Sequence, residues 1–269
     1  MAYPFFDTIV LMNFTTITDL NIPELQIYRH LRDNVVTKDN SFIADSPMVV
    51  NILLQTSIEI KSILATEKYF NENKELIERK NIPHLYVADK ALMKEIVGHT
   101  IHHGVMMCGT RPPETPLEKL DQQIIMLDLI SKTDNVGAIS RSAAALGINS
   151  FLVPSKGPHP FGRRALRVSM GHVSKLKIHT YDDIFHTLKI LQDSGYKIFA
   201  AEVTKDAIAL QDIKVPKKWV ILMGDEAHGI SKEILRACDE VVKIEMSEDV
   251  KSFNVATAAS ILMYQFRYA

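Results

Sequence analysis

Val220-Ile-Leu-Met-Gly-Asp-Glu-Ala-His-Gly-Ile-Ser231 decides the class of fold. An unbroken apolar run at its start marks a strand buried on both faces, and such strands belong to parallel sheets covered by helices. The run stops at Gly224 and passes through Asp225 and Glu226 to Gly229. A strand ending in a turn with two glycines is what a sheet needs where its backbone approaches a ligand closely. Outward from this stretch, strands are expected over 124–130, 150–153, 197–203, 219–223 and 241–244, and helices over 136–146, 184–191 and 254–266. Apolar strands alternating with helices give an α/β fold with a largely parallel sheet.

The first part of the chain reads as a smaller α/β layer. Asn21-Ile-Pro-Glu-Leu predicts a helix start with Asn21 as cap and Leu25, Ile27, Tyr28 and Leu31 following at roughly helical spacing. Ser41-Phe-Ile-Ala is a short strand, and Ser46-Pro47 predicts a second helix start, the serine capping and the proline at the first helical position. Residues 58–64 alternate apolar and polar, 67–80 are charged and helical, 84–87 a strand, 91–97 a helix and 105–108 a strand. Thr110-Arg-Pro-Pro-Glu-Thr-Pro116 has three prolines and no hydrophobic period, so it is a linker. The expected domains are therefore 1–112 and 119–269.

At 269 residues and 46% hydrophobic, the chain has enough apolar content for two globular cores. Its formal charge of −1 gives no overall basic surface, but the distribution is uneven. From Asn135 to Tyr181 there is no Asp or Glu, while Arg141, Lys156, Arg163, Arg164, Arg167, Lys175 and Lys177 all fall there, so this window could hold an anion. Cys108 and Cys238 are far apart, with no Cys-x-x-Cys or paired-His spacing, which predicts buried free thiols and no metal site. His102 and His103 are read as loop or strand-edge residues. The N-terminus has no basic start with an apolar run, and no stretch approaches the ~20 apolar residues of a membrane span, so a cytoplasmic protein is expected. The turn at 224–229 lacks the Gly-x-Gly-x-x-Gly fingerprint, which argues against a nicotinamide cofactor.

Three further stretches carry polar residues at element ends. In Asn135-Val-Gly-Ala-Ile-Ser-Arg141, Asp134 or Asn135 would cap a helix, Gly137 would ease close packing and Arg141 would lie on a solvated face. In Ser252-Phe-Asn-Val255, Ser252 would cap the last helix, whose Ala256, Ala258 and Ala259 permit close packing on a neighbour. Arg163-Arg-Ala-Leu-Arg-Val-Ser-Met-Gly171 offers guanidinium forks that bind phosphate bidentately, against the alternative of a solvated basic helix.

In this order and at these spacings, the stretches around Asn135, Gly224 and Ser252 resemble the three motifs of the SpoU (TrmH-type) RNA ribose methyltransferases of the SPOUT superfamily. The resemblance covers essentially the whole chain, strongly over 123–269. Asp225 and Ala227 stand where the family usually has Asn and Gly, Glu245 where it has Pro, Glu248 where it has Gly, and Phe253 where it has Leu. Asp225 would either tune the cofactor pocket or weaken the approach of RNA.

The resemblance implies a deep trefoil knot in the C-terminal domain, which sequence physics would not suggest because threaded chains are rare. It implies S-adenosylmethionine as cofactor, held by Val203, Met223, Gly224, Gly229, Ile244, Met246, Phe253 and Asn254, and a catalytic set of Asn135, Arg141, Glu226, Ser252 and Asn254. It also implies a homodimer with its active site near the subunit interface. The N-terminal domain resembles ribosomal proteins that bind kink-turns, with Tyr28, Arg29, Arg32 and Asp33 in the matching segment. Arg29, Arg32, Arg163, Arg164, Arg167 and Ser169 are then the expected RNA contacts. The expected activity is methylation of a ribose 2′-hydroxyl in ribosomal or transfer RNA. A catalytically silent RNA-binding relative is the alternative, and a protein handling a small phosphate metabolite would account for the glycine turns and basic run but not for all the motifs together.

Overall fold

A computed structural model of the chain describes residues 14–17, 22–29, 39–98 and 103–269. Asn21, Leu31, Arg32, Asp33 and His102 lie outside the described residues. Those up to Arg111 form one compact unit, and Pro112–Ala269 form a second.

The first unit runs β1 (Phe14–Thr16), α1 (Gln26–Arg29), β2 (Ser41–Asp45), α2 (Pro47–Leu54), β3 (Ile60–Ala65), α3 (Glu67–Glu72), α4 (Lys74–Glu78), β4 (His84–Val87), α5 (Lys90–Val97) and β5 (Val105–Thr110). Its sheet has the order β1-β4-β3-β5-β2 and is mixed: β4 is parallel to β1 and β3, whereas β5 is antiparallel to β3 and β2. Tyr28 is fully buried, with its hydroxyl 2.7 Å from Ser62 Oγ, so it belongs to this core. The expected cap at Ser46 does not form: the residue has φ of 80° and its side chain caps nothing, and Pro47 alone marks the start of α2. The expected single helix over 67–80 is two. They meet at Asn73, whose Nδ2 donates to the Tyr69 carbonyl at 2.9 Å.

The second unit runs β6 (Gln123–Leu127), α6 (Thr133–Ala145), β7 (Ser150–Pro154), α7 (Arg163–Val168), β8 (Lys177–Tyr181), α8 (Ile184–Asp193), β9 (Lys197–Ala201), β10 (Ile208–Ala209), β11 (Trp219–Met223), α9 (Lys232–Ala237), β12 (Glu240–Lys243) and α10 (Val255–Tyr268). The sheet order is β10-β12-β9-β11-β6-β7-β8, and every described pairing is parallel. All of β11 is buried, as a strand flanked by β6 and β9 and covered on both faces must be. From β6 the chain builds outward through β7 to β8, then crosses to β9 beyond β11. The direction of winding therefore reverses around β6 and β11, where the strand ends of an open sheet leave a crevice.

Against this sheet lies α10. Phe266 sets its ring edge-on to Phe199 at 4.9 Å and to Trp219 at 5.3 Å between centroids, and Ser260 Oγ donates to Ser142 Oγ on α6 at 2.8 Å. Gly137 lets α6 settle on α7: a Cβ there would stand 2.7 Å from the Ala165 carbonyl oxygen. No described helix is long and apolar enough to cross a membrane.

Candidate active site

The segments that follow β6, β9, β11 and β12, together with the entry to α10, line a cavity of about 520 Å³. That size suits a small-molecule ligand. Val203, Met223, Gly224, Gly229, Ile244, Met246, Phe253 and Asn254 all line it, as do Asn135, Glu226 and Ser252. Arg141 does not: it is exposed on α6, ~9 Å further along the axis than Asn135.

Glu226 is the hub of the polar wall. Its Oε2 accepts hydrogen bonds from the N–H and the hydroxyl of Ser131, both at 3.0 Å. Its Oε1 accepts from the N–H of Lys132 at 3.2 Å and from Asn135 Nδ2 at 2.6 Å. A carboxylate at the N-terminal end of α6 also meets the positive end of the helix dipole. Partial burial raises the proton affinity of Glu226, but the bonds from Asn135 and Ser131 outweigh it and hold the carboxyl below its usual range. Asn135 Oδ1 in turn accepts from Asn254 Nδ2 at 3.2 Å. Asn254 Oδ1 accepts from Ala256 N–H at 2.9 Å and Thr257 N–H at 3.3 Å, capping α10.

Two expected caps are thereby corrected. Asn254, not Ser252, caps the last helix, because its side-chain oxygen reaches the free N–H groups of the first turn. Neither Asp134 nor Asn135 caps α6: the helix starts at Thr133 with Lys132 in the cap position, and both lie within its first turn. Asn135 is consequently free to link Glu226 to Asn254.

Asp225 organises the turn after β11. Its Oδ1 accepts from the N–H of Ala227 at 2.9 Å, the N–H of His228 at 2.8 Å and His228 Nδ1 at 2.9 Å. The backbone bonds from Ala227 and His228 hold its carboxyl below the usual range. Beneath it, burial and the nearby Asp225 charge push the Asp128 carboxyl upward. Glu245 accepts from Gln211 Nε2 at 3.0 Å, and neither it nor Glu248 lines the cavity.

The basic run forms α7 and the turn after it. Arg164 and Arg167 are exposed and Arg163 is half-buried. Arg164 makes a two-pronged pair with Asp134, at 2.6 and 2.7 Å, which a phosphate would have to displace. Ser169 is fully buried and donates to the Leu166 carbonyl at 3.0 Å, so it does not share the exposed face of Arg164 and Arg167. His172 is held toward its neutral form by burial and by the charges of Lys175 and Arg141, a sign of positive potential beside Arg141. In the first unit, Arg29 is half-buried at the end of α1.

Sequence reading passed over Ser131, Lys132 and Glu202 in this site. The available signal for Glu202 was an acid directly ending the apolar run Ile198-Phe-Ala-Ala, a position where a charge has little reason to sit unless the strand has reached a crevice.

A parallel α/β sheet with a ligand-sized cavity at its strand ends, walled by a carboxylate and two asparagines from three separate segments, defines a small-molecule-binding α/β domain. Residues 122–264 match the SpoU rRNA Methylase family, and the chain belongs to that family. A Mycobacterium bovis protein named as an uncharacterized tRNA/rRNA methyltransferase is 27% identical over 260 residues, spanning 93% of this chain and 90% of the relative. The fold is shared with an AdoMet-bound rRNA methyltransferase from Sinorhizobium meliloti, with a TM-score of 0.80 and 20% identity over 94% of this chain and 97% of that one. It is shared as well with a solved RNA 2′-O ribose methyltransferase, with a TM-score of 0.74 and 22% identity over 94% of this chain and 98% of that one.

Proposed function

We propose that this protein is an RNA methyltransferase that transfers the methyl group of S-adenosylmethionine to a ribose 2′-hydroxyl of ribosomal or transfer RNA. The observation that carries the reading is the Glu226–Asn135–Asn254 network on the cavity wall, which ties together the three segments in which the family resemblance resides. Family membership, the names of the relatives and the AdoMet-bound structural neighbour support the cofactor. The likeness to a ribose 2′-O methyltransferase supports the acceptor.

The cavity fits the group. It has the volume for an adenosyl ligand, apolar walls at Val203, Met223, Met246 and Phe253, and backbone groups at the glycine turn for hydrogen bonds. Bound S-adenosylmethionine supplies an activated methyl on a cationic sulfonium, so the protein must chiefly align the acceptor and help its proton leave. Glu226 keeps Asn135 and the start of α6 in place, and Asn135 with Asn254 presents amide dipoles to the cavity. Arg141 stands outside the wall on an exposed face, placed to hold an RNA phosphate and steer the hydroxyl; arginine is too basic to be an ordinary proton acceptor. Arg163 and Arg167 extend the same positive surface along the RNA backbone.

In this reading the first unit selects structured RNA by shape, with Arg29 among its contacts. The second unit is knotted, works in the cytoplasm, and pairs with another copy through the exposed Tyr264 and Tyr268 of α10, whose rings lie 5.0 Å apart. Light scattering is expected to give a dimer; a monomer at working concentration removes that part.

The test is calorimetric binding of S-adenosylhomocysteine, followed by transfer of labelled methyl to total RNA and alkaline hydrolysis. Micromolar binding with label in alkali-resistant dinucleotides is expected, because a 2′-O-methyl group blocks alkaline cleavage. Label on bases overturns ribose specificity. RNA binding without cofactor binding identifies a silent relative instead.

A further inference from the structure

Lys132, Glu202 and Lys243 on the cavity wall belong to none of the three motif segments, and Glu202 is the acid among them. β9 ends at Ala201, and the next residue, Glu202, lines the cavity. Its carboxylate is fixed from two directions: Oε1 accepts the Val203 N–H at 3.0 Å, and Oε2 accepts the Ile230 N–H at 2.9 Å. Gly229 makes room for it, since that residue has φ of 67° and a Cβ added there would fall on Oε2 of Glu202. Among the described residues Glu202 has no basic partner.

Lys132 and Lys243 line the same cavity but neither pairs with Glu202, so its fixed carboxylate is left to hydrogen-bond donors from whatever fills the cavity. An ionised carboxylate offers about four acceptor positions. With one N–H on each oxygen, each keeps an acceptor free, and two adjacent acceptors held in one plane match two adjacent hydroxyls. The placement agrees with that match. In dinucleotide-binding parallel sheets, a glycine turn after one strand brings backbone close to the ligand, and an acidic residue further along the chain takes the ribose hydroxyl, a division of labour that this crevice could share. Here the glycine turn follows β11, Glu202 follows β9, and the two strands pair directly, with Met223 opposite Ala201.

We propose that Glu202 is the ribose-reading residue of the cavity, accepting hydrogen bonds from the 2′- and 3′-hydroxyls of the adenosyl ribose. This rests on the reading that the cavity takes S-adenosylmethionine. Gly229 and the Ile230 N–H are the parts of the turn that hold the carboxylate in position for it.

The experiment is calorimetry of wild type and Glu202→Gln with S-adenosylhomocysteine and its 2′-deoxy and 3′-deoxy analogues. Wild type is expected to lose about tenfold or more in affinity when either hydroxyl is removed, as for a hydrogen bond to a charged group. The variant is expected to bind the parent ligand more weakly and to distinguish the deoxy analogues by less than about threefold. Equal wild-type affinity for parent and deoxy ligands overturns the proposal without any variant, should Glu202→Gln not fold. A variant that discriminates as wild type does also overturns it. So does one that loses S-adenosylmethionine relative to S-adenosylhomocysteine with the deoxy ratios unchanged, which reassigns the carboxylate to the cofactor's cation. If wild type binds no adenosyl ligand, the cofactor reading itself fails and takes this assignment with it.

Discussion

Asn254 Nδ2 lies 3.2 Å from Asn135 Oδ1, joining residues 119 positions apart in the chain. Asn135 at the same time donates to Glu226 at 2.6 Å, so one amide couples the start of α6, the turn after β11 and the cap of α10. Asn135→Ala removes the donor of one partner and the acceptor of the other. Leaving those groups unpaired is expected to cost about 1–3 kcal/mol, read as a lower urea midpoint with unchanged slope. Pairing it with Asn254→Ala should give less than the sum of the two single losses, since both remove the same contact. Full additivity would show that the residues act independently.

Glu226 gives the network a pH dependence. Its carboxyl is held below the ordinary glutamate value of 4.5 by Asn135 and Ser131 against the opposing effect of burial. A depressed folded-state pKa means that ionised Glu226 stabilises the fold fully above the unfolded value, and that this contribution disappears as pH falls through the folded value. The stability difference between wild type and Glu226→Gln should therefore be largest at neutral pH and shrink on acidification below 4.5. A difference that is constant from neutral to acid pH would remove Glu226 as the titrating group.

Gly137 sets helix propensity against packing. Alanine is favoured over glycine in a helix interior by about 0.8–1 kcal/mol. A methyl 2.7 Å from the Ala165 carbonyl oxygen and 2.9 Å from Val168 Cβ must push α7 away, and overpacking typically costs about 1–3 kcal/mol. Gly137→Ala is expected to lower the melting temperature, and a stabilised variant would mean that α6 and α7 have room to separate freely.

Arg141 should behave in the opposite way. It is exposed, so Arg141→Ala is expected to change stability by less than about 0.5 kcal/mol. Affinity for S-adenosylhomocysteine should be unchanged, because Arg141 does not line the cavity, while methyl transfer to RNA falls to background. Retained turnover would take Arg141 out of the mechanism.

Gly224 shows how sequence and structure divide the work. Its turn was legible from the apolar run that stops there, but the reason for the glycine was not. A Cβ would meet Ile230 Cγ1 at 2.5 Å and the Gly229 backbone at 2.8 Å, so the residue serves the closure of the turn on itself. Substituting valine there would deform the whole turn before it obstructed a ligand. β8 was missed for a related reason: Lys177-Ile-His-Thr-Tyr is an edge strand with only Ile178 and Tyr181 buried, and it lacks the apolar run that exposes β11 to view. α7 was legible only as the alternative of a solvated basic helix, because arginines dominate so short a segment.

By itself the sequence determined the alternation of strand and helix, the parallel character of the second sheet, and the polar residues at its element ends, because hydrophobic period and turn chemistry are local properties of the chain. The tertiary structure alone decided that Glu226, Asn135 and Asn254 form one network, that Asn254 rather than Ser252 caps α10, and that Glu202 faces the cavity against Gly229. Those relations depend on which strands lie side by side and on where the last helix docks. Both are set by burial of side chains far apart in sequence, and no local pattern records them.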